Sequence, residues 1–474
     1  MLRTKIICTL GPACDTAETL KEMIQAGMTV ARLNMAHGDP DEHAGRIRRL
    51  REAAKELNAY IPVMMDIKGP EVRIGKLKEA SCRLTAGEEL ILTTEEIEGD
   101  SCRISVNYAE MPSVVRKNDR ILIDDGLIEL SVIEAAGTEI RCLIKSGGQL
   151  KPRKGVNLPG IHTTLPGVTE RDIRHIGFGL EQKVEMIAVS FVRKGDDIRE
   201  VRRILEERGA GHVQIISKIE NEEGVLELDD IIEASDGIMV ARGDLGVEVP
   251  VENVPAMQKE MIDKCNRAGK PVIVATHMLE SMQVNPRPTR AEVSDVYNAV
   301  MQGADVVMLS GESAAGKYPV QSVQTMARVA RQAEATIDYR EQFNRKRAQH
   351  ATNITEVISQ GAVSASLELD AKAVITSTES GFTARMVSKY RPKAPILAIT
   401  YNPHVLPAVC LLSGVFPFLG EHVATTDEMF DTAIQLALKT GYVNAGDTVV
   451  LSAGLPLGQA GTTNLIQIQQ VQAK

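Results

Sequence analysis

Short, almost unbroken apolar runs recur along the first two thirds of the chain, and each stops at a glycine or a polar side chain. Eight of them stand out: KIICTL (5–10), VARLNM (30–35), PVMMDI (62–67), MIAVSF (186–191), QIISKI (214–219), GIMVAR (237–242), PVIVAT (271–276) and DVVMLS (305–310). Between most of them the apolar positions fall at a helical spacing, as in TAETLKEMIQAG, DDIREVRRILEERG and VPAMQKEMIDKCNRAG, where glycine is a common helix stop. Runs that are apolar at successive positions belong to strands buried on both faces. Strand and helix in alternation predict a parallel sheet covered by helices. Eight such units predict a closed (β/α)8 barrel, a TIM barrel of the α/β class. The competing architecture is a doubly wound open sheet, which would not gather polar residues from all these strand ends into one ring.

The rhythm breaks twice. About 118 residues separate the third run from the fourth, against about 17–28 elsewhere. The gap holds short β-runs, CRLTAGEELILTT, DRILIDDGLIELSVI and TEIRCLIKSGG, divided by Gly, Asp and Asn turns. That pattern predicts a small antiparallel β barrel or sandwich, inserted at the barrel rim where it could close as a lid. After about residue 335, DYREQFNRKRAQHATN predicts a surface helix and linker. AKAVITST, PILAITYN, GVFPFL, DTVVLSAG and NLIQIQQV then predict a second α/β unit. The expected division is a barrel over 1–69 and 169–337, a β-barrel lid over 70–168, and a C-terminal α/β domain over 338–474.

At 474 residues the chain is too long for one hydrophobic core, which agrees with several domains. Its net charge of -9 offers no overall basic footprint, so no nucleic-acid partner is expected. The seven cysteines are scattered and contain no C-x-x-C, which argues against a disulfide framework and fits a reducing, cytoplasmic setting. No apolar run approaches the ~18–20 residues of a membrane span. MLRTKIICTLGPAC faintly resembles a signal peptide, but Gly-Pro cuts its apolar stretch short, so it reads as a first strand.

In a barrel the site lies at the C-terminal ends of the strands. Those ends carry Arg32, Asn34, Asp66, Lys218, Glu220, Asp244, Thr276 and Glu312. Lys218 and Glu220 are two apart, so on a strand they project from one face. They would bring a cation and a carboxylate into the site together, although an ion pair bracing the barrel explains them equally well. Arg32 and Asn34 repeat the spacing, and an arginine at a strand end suits a phosphate. After the sixth run, the glycines of ARGDLG leave backbone N–H groups accessible to a ligand. Asp244 could join Glu220 on a divalent cation, because magnesium takes one or two carboxylates plus substrate oxygens. The ordinary alternative is an Asx turn capping a helix. His37-Gly38 in isolation reads as a surface turn. Lys68-Gly69-Pro70-Glu71 with Arg73 is either a basic hinge for a nucleotide phosphate or a solvated strand end. Gly311 to Lys317 fits G-x-x-x-x-G-K, but Tyr318 follows where a P-loop needs Ser or Thr, so this segment is expected only to complete the eighth strand's rim.

Taken together, these stretches resemble the pyruvate kinase family, in order and over nearly the whole chain. The matching runs are VARLN (30–34), Asp66 with KGPEVR (68–73), KGVNLPG (154–160), IISKIENEEG (215–224), MVARGDLG (239–246), NPRPTRAEVSD (285–295), MLSGESAAGKYP (308–319) and SKYRP (388–392). The resemblance is to bacterial members without the extra C-terminal phosphoenolpyruvate-utilising module that some carry. It implies a glycolytic enzyme that moves the phosphoryl group of phosphoenolpyruvate onto ADP, giving pyruvate and ATP through a metal-stabilised enolate. It implies magnesium (or manganese) and potassium as cofactors. Lys218 would offset charge on the transferring group, Arg32 would bind phosphate, and Thr276 would lie near the carbon that is protonated. Glu220 and Asp244 would hold the divalent ion, and backbone N–H groups at Gly243 and Asp244 the substrate carboxylate. Asn34, Asp66 and the Ile67 carbonyl would hold potassium. Asn34, His37, Arg73 and Arg171 would face the nucleotide. Thr378, Ser380, Gly381 and Thr383 resemble the phosphate loop of an allosteric site for a sugar phosphate or AMP. A homotetramer is implied, with C-terminal domains meeting across one interface and barrels across another.

This chain departs from the family at four positions. Ala36 replaces a serine and Ile67 a threonine around the potassium position. Glu71, the residue of potassium-requiring members, is retained. Arg171 replaces a lysine, and Phe382 stands where a cationic side chain is common. Two rivals share some of these features. One is a magnesium-using lyase on the same barrel, acting on an enolpyruvate or oxaloacetate unit, which would need neither the insertion nor NPRPTRAEVSD. The other is a catalytically weak paralogue that binds phosphoenolpyruvate as a sensor. The retained Lys218, Glu220, Asp244 and Thr276 argue against it.

Overall fold

The computed structural model describes residues 2–348, 353–423, 425–456 and 461–472. Eight parallel strands close into a barrel: Lys5–Thr9, Val30–Asn34, Val63–Ile67, Met186–Val189, Gln214–Ile219, Gly237–Ala241, Val272–Ala275 and Val306–Leu309. Each lies within its predicted run, and the first pairs with the eighth, Lys5 opposite Val306. Residues of these strands that point outward pack against the surrounding helices, and those that point inward, such as Ile7, Met64, Ala188, Met239 and Met308, fill the lumen. This double burial is why the strands lack polar alternation. Leu411 and Cys410, from the C-terminal region, join the lumen cluster.

The insertion has its own core, including Leu90, Leu92, Ile121, Leu130 and Ile140. Its main sheet runs Val72–Arg73, Gly155–Asn157, Arg120–Ile123, Ile128–Ala136, Glu139–Ser146, Glu89–Thr93 and Arg103–Ser105. A bridge between Ile74 and Val106 brings the two ends of that order together, so the sheet curls round on itself. One pairing departs from the antiparallel expectation, because Glu89–Thr93 and Arg103–Ser105 run parallel. Both chain crossings into the insertion meet at Asp172, which is fully buried. Its carboxylate accepts from the Gly69 amide and from the Thr169 amide and hydroxyl. Gly69 sits at φ +70°, and a Cβ there would come within 2.6 Å of the Ser190 carbonyl oxygen, so the hinge admits only glycine.

The charged stretch after residue 335 forms the helix Tyr339–Arg347, with Asp338 as N-cap and Phe343 buried. The rest of the expected linker, 349–352, lies outside the described residues. Beyond it a five-stranded sheet has the order Val415–Leu419, Ile396–Thr400, Ala373–Ser377, Thr448–Ala453, Leu465–Gln470, with only the last strand antiparallel. All five predicted runs are strands. Among the described residues no helix is long and apolar enough to cross a membrane, and the seven cysteines are free thiols.

Candidate active site

A ring of polar side chains stands at the C-terminal mouth of the barrel. Arg32 is almost fully buried and clamps Asp66: Nε and Nη2 lie 2.8 and 2.7 Å from Oδ2, while Nη1 donates to the Thr9 hydroxyl at 2.9 Å. The other Asp66 oxygen faces Lys218 Nζ at 3.3 Å and accepts from the Ser190 hydroxyl at 3.2 Å. Lys218 donates to Ser190 Oγ at 2.6 Å and faces Glu220 Oε1 at 2.9 Å. Two cations and two carboxylates from the second, third and fifth strands thus share one small volume. Burial alone would push the Asp66 carboxyl up, but Lys218 and Arg32 outweigh it and hold Asp66 below the usual carboxylate range. Burial likewise favours a neutral Lys218, and the charges of Asp66 and Glu220 override it and keep the ammonium protonated.

Glu220 is the exception in this ring. It is fully buried, and burial lifts its carboxyl to about 7, against the opposing pull of Lys218 and with help from Asp244 and Asp66. Oε2 accepts from the Phe191 amide at 2.6 Å. Oε1 faces the Lys218 ammonium at 2.9 Å and has no other partner. An open lone pair on a buried carboxylate, with a second carboxylate, Asp244, close enough to raise its pKa, fits a divalent cation. Among the described residues no group of three or more His, Cys, Asp or Glu gathers. Such an ion would therefore draw on this pair and on substrate oxygens, as magnesium does.

The sixth and seventh strands interlock through Arg242, a residue to which the sequence assigned no role. Its Nε donates to the Ala275 carbonyl at 3.1 Å, Nη2 to the Thr276 carbonyl at 2.7 Å, and Nη1 to Asp295 at 2.7 Å. Thr276 and His277 take φ of 71° and 57°, a region that β-branched residues rarely enter. Arg242 ties that distortion down, and Asp295, the last residue of NPRPTRAEVSD, anchors Arg242. Gly243 lies directly against Thr276, so that a Cβ on it would fall 2.7 Å from Thr276 Cγ2. Thr9 and Ser190 were also missed by sequence reasoning. They are the hydroxyls at the two strand ends to which it gave no functional residue.

Glu312 does not join the ring. It is fully buried, and it accepts from the Leu279 amide at 3.0 Å and the Ser310 amide at 2.8 Å. It follows the strand by three residues, inside the short helix Gly311–Ala314, so its carboxylate fastens loops to each other. The GESAAGK segment packs on Gln283, whose carbonyl accepts from the Lys317 amide, as expected of a rim and not of a P-loop.

Between ring and lid lies a cleft of about 450 Å³, bordered by His37, Arg73, Lys154, Arg193 and Asp244. Asn34 does not border the cleft; its Oδ1 accepts from the Ala36 amide at 3.1 Å, next to His37. Glu71 is gripped by Lys68 at 2.6 Å and by Arg73 at 2.7 Å, and despite burial those two cations depress its pKa. The lid touches the barrel where Asn157 donates to Glu248 at 2.8 Å. Arg171 does not border this cleft; it reaches the Gly69 carbonyl at 3.4 Å beside the hinge. Ile67 is fully buried within the third strand. In the C-terminal region, Thr378, Ser380, Thr383 and Phe382 line a separate cleft of about 270 Å³. Gly381, at φ +83°, makes the turn into the helix Phe382–Lys389.

A barrel with an inserted β-domain and paired cations and carboxylates at its mouth has the fold and charge of a site for anionic ligands and a cation. The family model for the pyruvate kinase barrel domain matches residues 1–323, and that for the pyruvate kinase alpha/beta domain matches 356–469. The chain is 50% identical over 473 residues to the pyruvate kinase of Bacillus licheniformis, covering 99% of this chain and 81% of that protein. With that of Clostridium acetobutylicum it shares 45% identity over 473 residues, covering 100% of each. A crystal structure of a pyruvate kinase from Cryptosporidium parvum superposes with a TM-score of 0.94 at 40% identity, covering 99% of this chain and 96% of that one. The chain belongs to the pyruvate kinase family.

Proposed function

We propose that this protein transfers the phosphoryl group of phosphoenolpyruvate to ADP, and that the Arg32–Asp66–Lys218–Glu220 ring is where the transfer occurs. The observation that carries this reading is the Lys218 ammonium, kept protonated in a buried position beside a carboxylate with an open lone pair. Transfer between two anions needs positioning and charge neutralisation more than covalent chemistry. Arg32 binds the phosphoryl oxygens, and Lys218 faces the charge that spreads over them in the transition state. Backbone N–H groups at Gly243 and Asp244 receive the substrate carboxylate. Thr276, held by Arg242, lies where the enolate left by transfer takes its proton. ADP enters by the cleft beside His37 and Arg73, and the lid keeps water from the phosphoryl group. Arg171, which the family resemblance assigns to the nucleotide, stands instead at the Gly69 hinge, outside the cleft.

Glu220 and Asp244 would hold magnesium or manganese, which would supply Lewis-acid charge to the substrate oxygens. A raised carboxylate keeps its proton in the folded state, so the metal-free protein loses stability as pH rises from the ordinary glutamate range through about 7. A divalent ion must displace that proton. The melting shift given by magnesium is therefore expected to be full at about pH 8 and to shrink steadily below about pH 7. A shift that stays flat from pH 6 to 8 would contradict the assignment.

Asn34, Asp66 and the Ile67 carbonyl are proposed to hold potassium, with Glu71 retained as in potassium-requiring members. Ala36 supplies no hydroxyl there, so potassium is expected to stimulate turnover with weakened affinity. Robust turnover without any monovalent cation would remove this site. The cleft at Thr378, Ser380, Gly381 and Thr383 is proposed to take a sugar phosphate or AMP. Glu379 and Glu421 also border it, so a phosphate there depends on the N–H groups around Gly381. Fructose 1,6-bisphosphate, ribose 5-phosphate and AMP are the ligands to test, and no melting shift and no activation by any of them would dismiss it. We propose further that the chain divides at 69/70, 168/169 and 337/338, works in the cytoplasm, and assembles as a homotetramer. Light scattering at micromolar concentration tests the last point.

A further inference from the structure

The turn that carries His37 into the nucleotide cleft has little packing to hold it. Ala36, His37 and Gly38 are all exposed. Two hydrogen bonds fix the His37 main chain: its amide donates to the Asn34 carbonyl at 3.2 Å, and its carbonyl lies 2.8 Å from His43 Nε2. His43 stands in the first turn of the helix Pro40–Glu56, capped by Asp39, and only 2% of it is exposed. A carbonyl oxygen only accepts, so Nε2 must carry the imidazole proton. His43 Nδ1 is then an acceptor, and it is buried without a partner. That is a cost no purely structural residue needs to bear, since leucine would fill the same space without it. Burial also pulls the His43 pKa down, which keeps the ring in the neutral, Nε2-protonated form the contact requires.

We propose that His43 is a positioning residue for the nucleotide: its Nε2–H holds the His37 carbonyl and so sets the height of the His37 turn at the cleft rim. The inference rests on the reading of that cleft as the ADP subsite. Gly38 belongs to the same device. At φ +79°, a Cβ on it would come within 3.2 Å of His43 Nε2 and 3.0 Å of Glu42 Oε2, so the turn sits directly on the helix end. Nothing in this contact touches Arg32, Lys218 or Glu220, so its loss should appear in nucleotide binding and not in the chemical step.

The test compares three variants in the full chain. Glutamine can place an amide N–H near the Nε2 position, asparagine places it near Nδ1, and leucine has none. His43→Asn and His43→Leu are expected to raise KM for ADP by about tenfold, the scale of one buried hydrogen bond. Their kcat and KM for phosphoenolpyruvate should stay within about twofold. His43→Gln should restore KM for ADP. If His43→Leu fails to fold, the Gln and Asn pair still decides the matter, since the two differ only in where the amide sits. Variants that lower the melting temperature while leaving KM for ADP unchanged would overturn the inference, as would equal losses in kcat and both KM values. An absence of turnover in the unaltered protein would overturn the ADP reading as well, which separates the two failures.

Discussion

Replacing Lys218 with methionine is expected to lower kcat by about 10^4-fold while phosphoenolpyruvate still binds, within about tenfold of the unaltered affinity. Methionine fills similar space without the charge. Arg32 keeps its two contacts to Asp66, so the phosphate-binding half of the ring survives. What disappears is the cation between Asp66 and Glu220, the group placed to meet charge on the transferring phosphoryl. The fold should persist, because Glu220 already titrates near 7 and can answer the loss by keeping its proton. Steady-state pyruvate release, with calorimetry for binding, reads both quantities. A loss smaller than about tenfold would remove Lys218 from the reacting centre.

Gly243→Ala is expected to cost about 100-fold in kcat, because a small displacement at a reacting centre is enough to spoil alignment. The added methyl would meet Thr276 Cγ2 at 2.7 Å. Thr276 has little freedom to yield, since its backbone is already in the left-handed region and Arg242 grips its carbonyl. The steric cause is separable. In Gly243→Ala/Thr276→Ser the offending Cγ2 is gone and the hydroxyl remains, so activity should recover by at least about tenfold over the single variant. Without recovery, the glycine would be required for some reason other than contact with Thr276.

The barrel was legible because every strand is buried on both faces, so the sequence shows runs with no alternation. The charged members of the ring were legible for a related reason: Arg32, Asp66, Lys218 and Glu220 interrupt or end such runs, where a charge needs a partner. Hydroxyls gave no comparable signal. Thr9 and Ser190 are ordinary strand residues by composition, and only their place between Arg32, Asp66 and Lys218 reveals their part in the ring. Arg242 was visible within MVARGDLG, but its direction was not. It turns away from the mouth toward Asp295, whose position 53 residues later along the chain no local pattern discloses. Glu312 misled for the opposite reason. Three residues past a strand, the chain has already turned into a helix, and a carboxylate there can serve backbone amides as readily as a ligand.

The most direct test of the account is to supply phosphoenolpyruvate, ADP and magnesium, with and without potassium, and to follow pyruvate and ATP together. Equal amounts of both products are expected, faster with potassium, and both formed about 10^4-fold more slowly by the Lys218→Met variant. Tight phosphoenolpyruvate binding with no ATP formed under any cation would contradict it, and would make the protein a sensor of phosphoenolpyruvate that has kept the ring without the reaction.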